Sequence, residues 1–174
     1  GTNNNPIYQN FVTRDDQHMS QTLVNTLKSL YISTGPAPAD TVFDPRLAVY
    51  ADPIVSSPST KIYVGAPNGL QDDDAIAIGI NNTSRVGIAY RGKSTPSILM
   101  AYSEVLFDEA EAAARGWAPG DAAALYNAGI QASMQYNGIA DNVTAAYIAS
   151  PRVAYSSATG IQQVALQRWI ALFS

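Results

Sequence analysis

The chain has 174 residues, 47% of them hydrophobic and 14% charged, with a formal charge of −4. That balance describes a globular protein long enough for a sizeable core and excludes a disordered one. Lys and Arg are scattered singly with no basic stripe to neutralise phosphates, which argues against nucleic acid as a partner. Cysteine is absent, so there are no disulfides, thiolate metal sites or thiol nucleophile, and no apolar run approaches the roughly 20 residues that span a bilayer.

Residues 1–19 are polar and are expected to be irregular, with Ile7, Tyr8, Phe11 and Val12 as anchors. N-terminal helices are expected over 20–50. Ser20 is a candidate cap for a helix whose apolar face is Leu23, Val24, Leu27 and Leu30, ending before Gly35-Pro36, and a loop follows from Pro36 to Asp40. Asp44-Pro45 repeats the cap-then-proline signal and opens a short helical turn carrying Leu47, Val49 and Tyr50, with Arg46 placed to hold the cap or a neighbouring carbonyl.

Residues 51–93 are rich in Pro, Gly, Asn and Ser and read as an irregular region with brief extended pieces at Lys61–Val64, Ala75–Ile80 and Val86–Tyr90. The alternation of Ile76, Ile78 and Ile80 fits a half-buried strand. A stretch of about 40 residues with so little regular structure is usually functional or mobile.

A helical hairpin is expected over 94–138. Ser94-Thr95-Pro96 supplies a cap and a first-turn proline, after which Leu99, Tyr102, Leu106, Ala110 and Ala113 recur at helical spacing. Glu104, Asp108, Glu111 and Arg115 make a narrow charged stripe, while Ile98, Val105 and Ala112 fill one flank and Phe107 the other. The apolar arc is about twice the ~100° of a surface helix, so this helix needs neighbours on two sides. Gly116 fits a left-handed helix end with Trp117 folded back on the last turn, and Asp121 caps the second helix. Gly129, in mid-helix, marks a close approach, because a glycine there costs about 1 kcal/mol against alanine. Asn137-Gly138 closes the pair. An antiparallel hairpin that is apolar on two sides is what one unit of a stacked tetratricopeptide-like array looks like.

C-terminal helices are expected over 139–174: a short one at Asn142–Ala149, broken by Ser150-Pro151, then one after Thr159-Gly160 whose face is Ile161, Val164, Ala165, Trp169, Leu172 and Phe173. Such a face will not be left in water. It implies a fragment, covering segments from elsewhere in a longer chain, or a terminus docked on a core, and of these a fragment is the expectation.

No nucleophile elbow, zinc-protease motif, phosphate loop or dinucleotide fingerprint is present. His18, the single histidine, reads as exposed or as a satisfied polar residue. Asp72-Asp73-Asp74 reads as a solvated acidic loop without the ligand spacing of an EF-hand, so no metal or cofactor is expected. Glu109 reads as a boundary acid paired to an arginine, and Trp117 and Trp169 as packing residues. Ten tyrosines against few charges remain as the functional hint. Aromatic faces stack on sugar C–H groups while Asn, Asp and Arg meet the hydroxyls. Within the irregular region the candidate ligand-binding residues are Tyr50, Tyr63, Asn68 and Asp72.

Several blocks taken in order resemble the SusD/RagB family of outer-membrane nutrient-binding lipoproteins: Asp44-Pro45-Arg46-Leu47 with Tyr50 to Pro53, Tyr63 to Gly69, Tyr102 to Phe107 with Ala110 to Ala112 and Arg115 to Trp117, Gly120-Asp121 with Ala128 to Ser133, and Leu166 to Phe173. The resemblance implies a mainly α fold with a tetratricopeptide-like helical hairpin, a loop-rich remainder and minor short strands. It implies a non-catalytic protein of the outer-membrane cell surface that binds an oligosaccharide or peptide and delivers it to a SusC-like TonB-dependent transporter. Its only membrane attachment would be a lipid anchor absent from this chain. The family's lipidated cysteine, its earlier helical repeats and the segment after the last helix have no counterpart here. The rival expectation is a helical-repeat scaffold that binds other proteins.

Overall fold

Residues 4–14, 17–30, 43–56 and 61–173 are described by a computed structural model, and the chain divides into two units, Gly1–Ser97 and Ile98–Ser174. The loop expected at 36–40 lies outside the described residues. The protein is mainly α-helical, with a loop-rich first unit and a helical second one.

The first unit opens with a helix where polarity suggested irregular chain. Asn5 accepts from the amides of Ile7 (2.8 Å) and Tyr8 (3.1 Å) and Pro6 occupies the first turn of α1 (Pro6–Thr13), the same cap-then-proline signal that was read at Asp44-Pro45. Helix α2 (Gln21–Leu30) buries Leu23, Val24, Leu27 and Leu30, the face read from the sequence. The Ser20 hydroxyl, proposed as its cap, instead donates to Asn68 Oδ1 at 2.9 Å.

Asp44 leads into the one-turn helix α3 (Leu47–Tyr50), whose Leu47 and Tyr50 are fully buried. Asp44 and Arg46 are both wholly buried: Arg46 Nε donates to Asp44 Oδ1 at 3.0 Å and Arg46 Nη2 to Oδ2 at 2.6 Å, while the Arg46 amide also donates to Oδ1. Arg46 therefore holds the Asp44 carboxylate, while the N-cap position of α3 falls on Arg46 itself with no side-chain cap bond. A two-residue ribbon, β1 (Val55–Ser56) against β2 (Lys61–Ile62), pairs Val55 with Ile62.

Elsewhere the irregular chain is laced by single backbone bonds. Met19 donates to Ser84, Ala66 to Met19, Gln21 to Ala66, Ser84 to Val64, Gly87 to Tyr50 and Asp52 to Arg85, all between 2.6 and 3.0 Å. At Gly87 a Cβ would lie 2.0 Å from the Val49 carbonyl oxygen, so only glycine permits that approach.

The strand expected at Ala75–Ile80 is instead helix α4 (Asp72–Ile78), followed by a 3-10 turn at Ile80–Asn82. Three aspartates in its first turn complement the helix dipole, Ala75 and Ala77 favour helix, and Gly79 at φ +83° stops it. Over seven residues, isoleucines two apart satisfy a strand period, yet Ile76 and Ile80 are also i and i+4. The extended piece expected at Val86–Tyr90 shrinks to one bridge, Val86 with Ala51, before a turn closed by Tyr90 N–H to Gly87 O at 2.9 Å.

In the second unit, α5 (Tyr102–Ala114) begins later than expected. Ser94-Thr95-Pro96 belongs to a turn in the first unit, where the Thr95 amide donates to Gly92 and its hydroxyl to Ala89, and Leu99 is 98% exposed instead of lying on a helix face. Leu106, Phe107 and Ala110 are buried, but Tyr102 is exposed. As the wide apolar arc required, α5 has neighbours on two sides, α6 (Ala122–Tyr136) and α8 (Gly160–Ala171). Asp121 Oδ1 caps α6 by accepting from Ala123 and Ala124, and Gly116 and Gly138 take the left-handed conformation expected of helix ends.

The Phe107 ring lies flat against Gly129, whose Cβ would fall 2.7 Å from Phe107 Cε1. Phe107, Tyr126 and Tyr155 then form a chain of tilted ring contacts, with centroids 6.4 and 5.5 Å apart. The charged stripe of α5 meets Arg168 of α8, which lies 2.8 Å from Asp108 and 3.9 Å from both Glu104 and Glu111. Glu109 is not among these partners and is exposed. Helix α7 (Asp141–Ile148) packs on α6 through its buried Thr144 and Tyr147. Helix α8 docks by Val164, Gln167 and Ile170, leaving Trp169 and Leu172 partly exposed. Trp117, expected to pack, is 74% exposed, with the Arg115 guanidinium 4.9 Å from its ring.

Gly129→Ala is expected to destabilise the protein, because overpacking against Phe107 costs about 1–3 kcal/mol and outweighs the roughly 1 kcal/mol of helix propensity gained; a urea midpoint measures it, and adding Phe107→Leu should recover part of the loss. Asp44→Ala should cost about 3–5 kcal/mol by removing the carboxylate that takes a bidentate pair from the buried Arg46 guanidinium, read as a lower denaturation midpoint.

Candidate functional site

The four candidate residues are not brought together. Tyr50 and Tyr63 are interior: Tyr50 meets Tyr90 edge-on at 5.5 Å and Tyr63 meets Phe43 at 5.2 Å. With so few helical faces available, the irregular region uses these rings as its core, so neither presents a face to a ligand. Asn68 is exposed but occupied, accepting from Ser20 and donating to Thr22 Oγ1 at 3.0 Å. Asp72 is exposed in the first turn of α4. His18 is satisfied, its Nδ1 lying 2.7 Å from Thr83 Oγ1 and 3.1 Å from Thr83 O.

What the first unit offers is a recess of about 410 Å³ lined by Asp52, Pro53, Ile54, Ile80, Asn81, Thr83 and Arg85, within the size range of small-molecule sites. Asp52 follows α3 and is anchored from both sides. Its Oδ1 accepts from the Ile88 amide at 3.3 Å, and its Oδ2 pairs with Arg91. Arg91 is held in turn by Nε donation to Val86 O at 2.9 Å and lies 5.5 Å over the Phe11 ring of α1. Asn81 comes from the 3-10 turn and is exposed; Arg85 lies on the bridge to His18.

A carboxylate held in place, an amide and a guanidinium give acceptors and donors, while Pro53, Ile54 and Ile80 supply apolar contact. That mixture suits a hydroxylated ligand with C–H faces. The sequence signal was present in outline, in the Tyr50 to Pro53 block and the polar run around Asn82, but nothing in the spacing said that residues 52, 81 and 85 converge.

Ile80 and Thr83 also line a second recess, of about 250 Å³, together with Leu70, Ala75, Ile76 and Ile78 among others. In the second unit, Glu109, Asp121 and Leu125 border a third, of about 510 Å³, at the α5–α6 turn. Among the described residues no cluster of His, Cys, Asp and Glu is arranged to hold a metal, and no described helix is long and apolar enough to cross a membrane.

Residues 1–174 match the SusD-like family described as starch-binding and associating with the outer membrane. The chain belongs to that family. A SusD homolog from Bacteroides fragilis superposes with a TM-score of 0.74 at 25% identity, covering 90% of this chain and 36% of its own. A chitin-binding SusD homolog from Flavobacterium johnsoniae gives 0.69 at 25% identity, covering 97% and 36%. Another chitin-binding protein gives 0.68 at 28% identity, covering 90% and 34%. The chain thus spans about a third of the length of these proteins. No curated protein matches the sequence.

Burial raises the pKa of the Tyr63 phenol, and the negative charge of Asp52 adds to the rise. The folded state therefore holds this proton more tightly than the unfolded chain does. The corresponding stability is fully present below the unfolded value of about 10 and is lost as pH climbs from there through the higher folded value. Urea unfolding at stepped alkaline pH should show that decline, and Tyr63→Phe should flatten its slope.

Proposed function

We propose that this protein binds an oligosaccharide at the bacterial cell surface, without catalysis, and hands it to a SusC-like TonB-dependent transporter of the outer membrane. The observation that carries the reading is the match of the whole chain to a glycan-binding outer-membrane family. The chitin-binding relatives of similar fold support the ligand class. Membrane attachment through a lipid anchor belongs to the same proposal.

Within this chain the binding site is the polar recess of Asp52, Asn81 and Arg85. Asp52 accepts from sugar hydroxyls, Arg85 donates, Asn81 does both, and the Pro53, Ile54 and Ile80 side chains meet the apolar face of the ring. The Arg91 bond and the Ile88 amide fix the Asp52 carboxylate in place before ligand arrives, which lowers the ordering cost of binding. The hydrogen-bonding pairs sit in a site open to water, so each contributes modestly.

Affinity electrophoresis in gels containing starch, soluble chitin derivatives or β-glucans should retard the wild-type protein in at least one. Asn81→Ala and Arg85→Gln should each weaken retention about 3- to 10-fold, the loss of one or two hydrogen bonds, with the denaturation midpoint of Asn81→Ala, an exposed position, nearly unchanged. Free mobility of the wild-type protein in every gel would reject glycan binding.

A further inference from the structure

The polar recess does not end at Ile80 and Thr83. Those two residues also line the apolar recess, so the two hollows adjoin along an Ile80–Thr83 ridge. The apolar hollow is walled by Leu70, Ala75, Ile76, Ile78 and Ile80, with Ile76 and Ile80 substantially exposed. Its polar side chains, His18 and Thr83, are bonded to each other. A sugar hydroxyl placed there would give up water among aliphatic walls, an unfavourable exchange. A methyl group there leaves water for apolar surroundings, a favourable one. A hollow that rejects hydroxyls, next to one that accepts them, discriminates by substituent.

Resting on the glycan-binding reading above, we propose that this site selects acylated sugars, such as N-acetylated hexosamine oligomers. The ring hydroxyls lie among Asp52, Asn81 and Arg85, and the acyl methyl crosses the Ile80–Thr83 ridge into the hollow beside α4.

Titration calorimetry with chitohexaose and cellohexaose tests this directly, since the two share a β-1,4 backbone and differ in the C2 substituent, acetamido or hydroxyl. Burial of one methyl group corresponds to a preference of about four-fold or more for chitohexaose. Ala75→Phe, which fills the hollow, and Leu70→Ser, which makes its wall polar without adding bulk, should each bring the two affinities to within about two-fold while cellohexaose binding stays near the wild-type value. Equal wild-type affinities, a preference for the unsubstituted oligomer, or retention by starch with neither hexamer bound would overturn acyl selection and leave glycan binding standing. A wild-type preference that survives in both variants would overturn the assignment to this hollow. If the wild-type protein binds no saccharide at all, the broader reading fails and this one with it.

Discussion

In the first unit, the constraint on which everything else depends is that the backbone polar groups between its short helices must find partners where no helix or sheet supplies them. An unpaired buried amide or carbonyl costs about as much as a lost hydrogen bond. The irregular chain meets that demand by running short extended pieces past one another, so that Met19, Ala66, Ser84 and Tyr50 each exchange bonds with a remote segment. Register is then set one bond at a time, and each crossing depends on close approach. Gly87 against the Val49 carbonyl is the tightest of these.

The same scarcity of regular structure explains where the tyrosines went. A helix brings a stripe of Leu and Val to a core at no cost in design, whereas an irregular chain has few positions pointing inward and gains most by placing large rings at them. Tyr50, Tyr63 and Tyr90 are buried for this reason. The buried Asp44–Arg46 pair adds a polar tie: a bidentate pair whose carboxylate also accepts the Arg46 amide fixes the entry of α3 beside the buried Leu47. With those rings inside, the recess lined by Asp52, Asn81 and Arg85 beside isoleucines is polar and aliphatic in character. Arg91 extends the support by linking Asp52 to Val86 and to the Phe11 ring.

The second unit follows helical rules throughout. Phe107 on Gly129 brings α5 and α6 together, and the ring chain through Tyr126 to Tyr155 carries that packing onward to the segment before α8. Arg168 then gathers the acidic stripe of α5 from the facing helix. These charges are partly exposed, so the cluster sets register more than it stabilises.

By itself the sequence determined the elements whose signals are local. The α2 face, the Asp121 cap, the left-handed glycines at 116 and 138, the Gly129 contact and the two-sided α5 were all legible, because capping, φ preference and helical period act within a few residues. Asn5-Pro6 carries an equally local signal, a cap and a first-turn proline that prevail over the polarity around them. Tertiary structure alone decided the rest. Ser94-Thr95-Pro96 became a turn because residues 89, 92 and 5 supply its partners. Which aromatics face inward, and which of residues 51–93 meet around a hollow, depends on bonds between positions far apart in the chain, and no local period records those.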